Sequence, residues 1–185
     1  YNAMRSGTSV TTAMINIAGF LEPLREVLAA GDDAIYIGMS GGISGTAHAA
    51  SLAVEELKEE FPERKVASID TYAASLGEGL LVVEAARMLE NGASFDEIVE
   101  KISQRRHVMC QYFTVDDLAY LERGGRVSKA AAIVSTVLKI KPLLRGDEEG
   151  RIVLCGKTRG RKQSLASLAD FYEMLVADMT EEIGI

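Results

Sequence analysis

Tryptophan is absent from the 185 residues, histidine and cysteine occur twice each, and proline occurs three times. Each scarcity excludes something. Cys110 and Cys155 lack the spacing of a metal or redox pair, and one pair in a chain this long is no disulfide scaffold. Both read as reduced thiols with structural roles. His48 and His107 stand alone, without the clustered His, Cys and carboxylates of a zinc site. No window reaches the 18 uninterrupted apolar residues that a membrane-spanning helix needs, and no basic region leads into an apolar run at the N-terminus. A cytoplasmic location is therefore expected. With five Phe and six Tyr as the whole aromatic complement, there is little on which nucleic-acid bases could stack.

What is present is an ordinary globular composition, 48% apolar and 25% charged. A chain of this size buries roughly 70% of its unfolded surface, enough for one core or two small ones. The net charge of −7 hides a split. Residues 105–162 hold thirteen Lys and Arg against six Asp and Glu, a local +7, while the remainder holds seven against twenty-one, or −14. A basic half suits an anionic ligand or an acidic protein surface; a solvated basic face accounts for the same split. Tyr1, Asn2 and Ala3 directly precede Met4 and read as a cloning remnant.

Apolar periodicity predicts helices over Ala13–Leu28, Thr46–Glu60 and Leu76–Leu89, and over residues up to Arg105 behind a Ser94/Glu97 capping box. In the second of these, Ala50, Ala53, Val54 and Leu57 face inward. Short apolar runs predict strands at Ala34–Met39 and Val66–Ile69. This helix–strand alternation is the pattern of a parallel sheet covered on both faces. Beyond Arg105 the rhythm changes. Strands are expected at Met109–Val115 and Ile152–Cys155, with a helical stretch over about Ser128–Val137. Leu138–Leu144 is apolar but broken by Pro142, and Asp147-Glu148-Glu149-Gly150 makes a hairpin turn. The fold class is α/β: a parallel-sheet domain over residues 4–104, and a second, mixed and basic α/β domain over 105–185.

The most informative segment is Ser40-Gly41-Gly42-Ile43-Ser44-Gly45-Thr46. Small residues at the carboxyl end of a parallel strand, before a helix, leave backbone N–H groups for an anion, and Ser40, Ser44 and Thr46 add hydroxyls. A tight connection is the plainer explanation of such a loop. Gly38-Met39-Ser40-Gly41-Gly42 also satisfies G-x-S-x-G, the nucleophile elbow of serine hydrolases, and Asp70 and His107 follow in chain order. Against a hydrolase stand the short chain, the lack of an oxyanion-hole motif before the serine, and a histidine placed just before a strand. Basic segments surround Arg123-Gly124-Gly125-Arg126 and Lys157-Thr158-Arg159-Gly160-Arg161-Lys162. Arginine forks suit carboxylate and phosphoryl groups. Neither segment is a Walker loop, although phosphoryl transfer to a small hydroxylated substrate remains a third reading.

In order along the chain, these pieces resemble the bacterial DegV family of fatty-acid-binding proteins. They are Gly7-Thr8-Ser9, the loop from Ser40 to Thr46, Ile69-Asp70-Thr71, the run from Gly77 to Val82, Tyr120-Leu121-Glu122-Arg123-Gly124-Gly125-Arg126-Val127-Ser128-Lys129, Leu138-Lys139-Ile140-Lys141-Pro142, and Lys157–Lys162. The resemblance implies a non-catalytic, two-domain carrier that holds one long-chain fatty acid and needs no cofactor or metal. It implies that Thr8, Ser40 and the Gly41-Gly42 backbone hold the carboxylate, with Arg126 shaping the field nearby. It further implies a fatty-acid kinase as partner, docked at Arg159 and Arg161. Two departures stand out. The family's Ser pair is Ser40-Gly41 here, and the family's opening strand and closing segment have no counterpart, so the chain reads as short at both ends.

Overall fold

The structure is a computed structural model that describes residues 2–127 and 140–176. A short helix, α1 (Asn2–Arg5), and a stretch without regular structure lead into α2 (Ile17–Ala29). The expected helix from Ala13 begins at Ile17, because the Asn16 side chain accepts the Gly19 N–H and fixes the N-cap there. Then follow β1 (Ala34–Gly38), α3 (Thr46–Glu60), β2 (Val66–Asp70), α4 (Leu76–Glu90) and α5 (Phe95–Arg105). β1 and β2 pair in parallel from Ala34 beside Val66 to Gly38 beside Asp70. One face of the pair is covered by α2 and α3, whose Phe20, Ala50, Ala53, Val54 and Leu57 are buried, as the periodicity predicts. Leu81, Ala85, Ile98 and Ile102 of α4 and α5 cover the other face around Ile69. The α5 start carries the predicted capping box, with Ser94 and Glu97 bonding reciprocally.

The second half is antiparallel. β3 (Tyr112–Phe113), α6 (Ala119–Arg123), β4 (Ile140–Gly146), β5 (Ile152–Arg159) and α7 (Arg161–Leu175) follow, and the three strands lie in the order β3-β4-β5. The strand expected over Met109–Val115 shrinks to two residues, and the one expected over Ile152–Cys155 runs on to Arg159. Pro142 does not break β4. β3 pairs with β4 at Leu144 and Arg145 alone, so no strand on that side requires the N–H that proline lacks. On the other side Pro142 sits opposite Lys157. Leu118 and Leu144 are the buried centre of this half, and α7 packs on the sheet with Phe171 stacked on Tyr112 at 4.6 Å. The helix predicted over Ser128–Val137 lies outside the described residues.

Candidate functional site

Because Gly38 and Asp70 are partners in register, the loops leaving β1 and β2 emerge side by side at the carboxyl ends of the parallel strands. This is where open α/β sheets bind ligands. Hydrogen bonds weld the two loops together. Asp70 Oδ2 accepts the Gly41 N–H at 3.0 Å, and Oδ1 accepts the Tyr72 N–H at 3.0 Å. The Thr71 hydroxyl donates to the Gly38 carbonyl at 2.8 Å, and the Ser40 N–H donates to the Ala73 carbonyl at 2.8 Å. Asp70, one arm of the hydrolase reading, is thus a clamp between loops.

The antiparallel half meets this pair of loops with its hairpin tip. Asp147 builds the tip by accepting the N–H groups of Glu149 and Arg151. The Arg151 N–H is the main cause that holds the Asp147 carboxyl below its ordinary range. The Ser40 hydroxyl donates to the Gly150 carbonyl at 2.8 Å and accepts the Gly42 N–H at 3.1 Å. Ser40 is wholly buried. The approach is close enough to demand glycine on both sides. A Cβ on Gly150 would lie 2.0 Å from Ser40 Oγ, and one on Gly42 would lie 2.6 Å from the Glu149 carbonyl oxygen.

Beside this junction opens a cavity of about 2360 Å³ between the two halves. Leu80 and Met88 of α4 and Leu165, Leu168, Phe171 and Leu175 of α7 supply apolar wall. Ile43, Ser44, Tyr72 and Gly150 border the loop end, and Thr8 also lines the cavity. Of the charged side chains among the described residues that line it, five are arginines (Arg87, Arg105, Arg123, Arg126, Arg161) and one is Glu84, which pairs with Arg105 at 3.3 Å. In a chain of net charge −7, that is a local reversal of sign.

The residues singled out in the sequence divide in two. Thr8 and Arg126 line the cavity, Arg126 donating from Nε to the Ile43 carbonyl at 3.2 Å. Arg161, at the start of α7, lines it too, while the exposed Arg159 ends β5 and lies off the wall. Ser40, Gly41 and Gly42 lie behind the wall, and the N–H groups expected to await an anion are engaged by Asp70 and by Ser40 itself. A direct bond from Ser40 to a ligand would require its hydroxyl to leave Gly150. The same geometry disfavours the hydrolase. Its serine is buried, donates to a carbonyl and touches no histidine, and His107 packs edge-on against Tyr72.

Sequence reasoning passed over the turn after β2. Tyr72 and Ser75 have φ of +54° and +53°, the left-handed values that favour glycine. Gln111 grips the turn from the far side, and Arg106 stacks over the Tyr72 ring at 4.5 Å while donating to the Asp70 carbonyl at 2.9 Å. α7 also went unread, although Leu165, Leu168, Tyr172 and Leu175 recur at helical spacing. Among the described residues no group of three or more His, Cys, Asp and Glu could hold a metal ion, and no helix is long and apolar enough to cross a membrane.

The model of the family described as "Uncharacterised protein, DegV family" matches residues 1–185. The chain belongs to the DegV family. The match takes in Tyr1–Ala3, which the sequence reading set aside. A DegV domain-containing protein of Clostridium perfringens is 38% identical over 182 residues, 98% of this chain and 62% of the relative. Among solved structures, a DegV family protein from Thermus thermophilus, whose description reports fatty acid binding, superposes with a TM-score of 0.78 at 33% identity, over 94% of this chain and 60% of that one. Another, from Eubacterium eligens and loaded with heptadecanoic acid, gives a TM-score of 0.78 at 27% identity, over 93% of this chain and 62% of that one. The chain spans about three fifths of the length of these DegV relatives. Its α/β fold, with a parallel pair under helices and a separate antiparallel sheet, is theirs.

Proposed function

We propose that this chain binds one long-chain fatty acid in the cavity between its halves and acts as a carrier rather than an enzyme. One observation carries the reading: a cavity of mostly apolar surface whose charged lining, among the described residues, is five arginines to one glutamate. Such a cavity selects an amphiphile with a long apolar tail and an anionic head. Fatty acids bound by the Thermus thermophilus and Eubacterium eligens relatives are ligands of that class. The carboxylate sits at the loop end, where Thr8 offers a hydroxyl and Arg126 a guanidinium, and where charge-assisted bonds are strongest away from water. Ser40, Gly41 and Gly42 hold the loop beneath it. The tail runs between α4 and α7.

In this reading the halves meeting near Arg105 are two domains that close on the lipid, and the carrier works in the cytoplasm. Arg159 and Arg161 dock an acidic face of a fatty-acid kinase, which phosphorylates the presented carboxylate. The test is mass spectrometry of protein purified from cells. Under native conditions the expected result is a non-covalent adduct with the mass of a long-chain fatty acid, lost on denaturation. A covalent fluorophosphonate adduct on Ser40, with no lipid released, would overturn the carrier and restore the hydrolase.

A further inference from the structure

We propose that Gln111 is a positioning residue for the carboxylate end of the cavity, an inference that rests on the fatty-acid reading. Gln111 lies between α5 and β3 and lines the cavity. Its amide oxygen accepts the Ala74 N–H at 3.0 Å, and its amide nitrogen donates to the Ala74 carbonyl at 2.5 Å. Ala74 thus receives from one side chain the two bonds that a neighbouring strand would give it.

The reason for that grip is the conformation on either side. Tyr72 and Ser75 are the two non-glycine residues with positive φ among the described residues. An L side chain rests there only when its surroundings impose it. Asp70, Thr71 and Arg106 fix the near end of the turn, through the Tyr72 and Ala73 N–H groups and the Tyr72 ring. Gln111 fixes the far end. Gly77 leaves room for it, since a Cβ there would lie 3.2 Å from the Gln111 amide carbon and oxygen.

The turn then sets the serine loop. Ala73 accepts the Ser40 N–H, and Ser40 in turn holds the hairpin tip through Gly150. Gln111 therefore reaches the head-group end through Ala74, Ala73 and Ser40, without touching the loop itself. Gln111→Met keeps the length of the side chain and removes both amide bonds. A ligand that depends on the loop should feel this change, and a ligand held by its tail alone should not.

The experiment compares hexadecanoate with its uncharged methyl ester on wild type, Gln111→Met and Gly77→Ala, with thermal melts and amide exchange at Ser40 recorded alongside. For Gln111→Met, acid affinity is expected to fall about tenfold, the consequence of two lost hydrogen bonds, while ester affinity holds. Ser40 exchange should quicken. Gly77→Ala should shift the acid in the same direction by less. Equal loss of acid and ester, or unchanged acid binding in Gln111→Met, would overturn the proposal. If wild type binds neither ligand, the fatty-acid reading fails by itself; the link from Gln111 to the loop then stands or falls on Ser40 exchange.

Discussion

The two halves of the molecule spend their residues differently. Fifteen of the nineteen buried apolar residues among the described residues precede Arg105, packed on both faces of a parallel pair. The antiparallel half buries four and carries the local excess of positive charge. Among the described residues the first half therefore supplies most of the buried apolar surface, and the second supplies a wall, a hairpin tip and a field. Where the hairpin tip meets the serine loop, contact is made by backbone approaching backbone at Gly42 and Gly150, with one serine hydroxyl between.

That contrast can be broken most severely from the parallel half. Leu57, fully buried between α2, α3 and β2, is expected to cost about 3 kcal/mol when replaced by alanine. Chemical denaturation would measure it, and the loss should carry the second half along in a single transition. Next in size is Gly150→Ala. Its φ of +71° strains any side chain, and its Cβ would strike the Ser40 hydroxyl. A loss of about 2 kcal/mol is expected, accompanied by weaker lipid retention because the hairpin tip can no longer seat.

A finer division compares Ser40→Ala with Arg159→Ala. The first leaves the Gly150 carbonyl without its donor, at about 1 kcal/mol, and on the proposed function should lower the lipid recovered with the protein. The second, on an exposed side chain, should change stability by less than about 0.5 kcal/mol, leave lipid recovery intact and, if the proposed docking is right, impair phosphorylation by a fatty-acid kinase. Equal loss of lipid in both would remove the proposed separation of binding from docking. The smallest effect is one of pH. Asp147 is held below its ordinary range by the N–H groups it accepts. Its contribution is therefore complete above the unfolded aspartate value and is lost as pH falls through the lower folded value. Acid titration followed by NMR at Gly150 should show the tip loosening in that window, and Asp147→Asn should abolish the response.

Much of this architecture is legible in the sequence wherever the determinant is local. The inward face of α3, the Ser94/Glu97 box and the Asp147–Gly150 turn are short-range patterns, and each forms as read. Mistakes occur where a distant partner decides. The glycine-rich loop looks like a set of free donors because its acceptors lie elsewhere: Asp70 stands 29 residues beyond Gly41, and Gly150 stands 110 beyond Ser40. Pro142 looks like a break because its tolerance depends on how far β3 extends. The strained turn at Tyr72 carries no glycine to announce it, and the side chain that grips it, Gln111, is 37 residues from Ala74. Thr8 and Arg126 were reachable from motif resemblance, but nothing in the spacing tells that they share a cavity.

The separation of Ser40 from Gly150 also has a consequence for the order of assembly. Closing a loop of 110 residues costs entropy that only the finished structure returns. The seam is then a late event, formed after β1, α3 and β2 have packed and after the hairpin has turned. Ser40→Ala should accordingly speed unfolding and leave the folding rate almost unchanged, a φ-value near zero, whereas Leu57→Ala should slow folding. During synthesis the serine loop would wait, facing water, until the hairpin that carries Gly150 arrives to cover it.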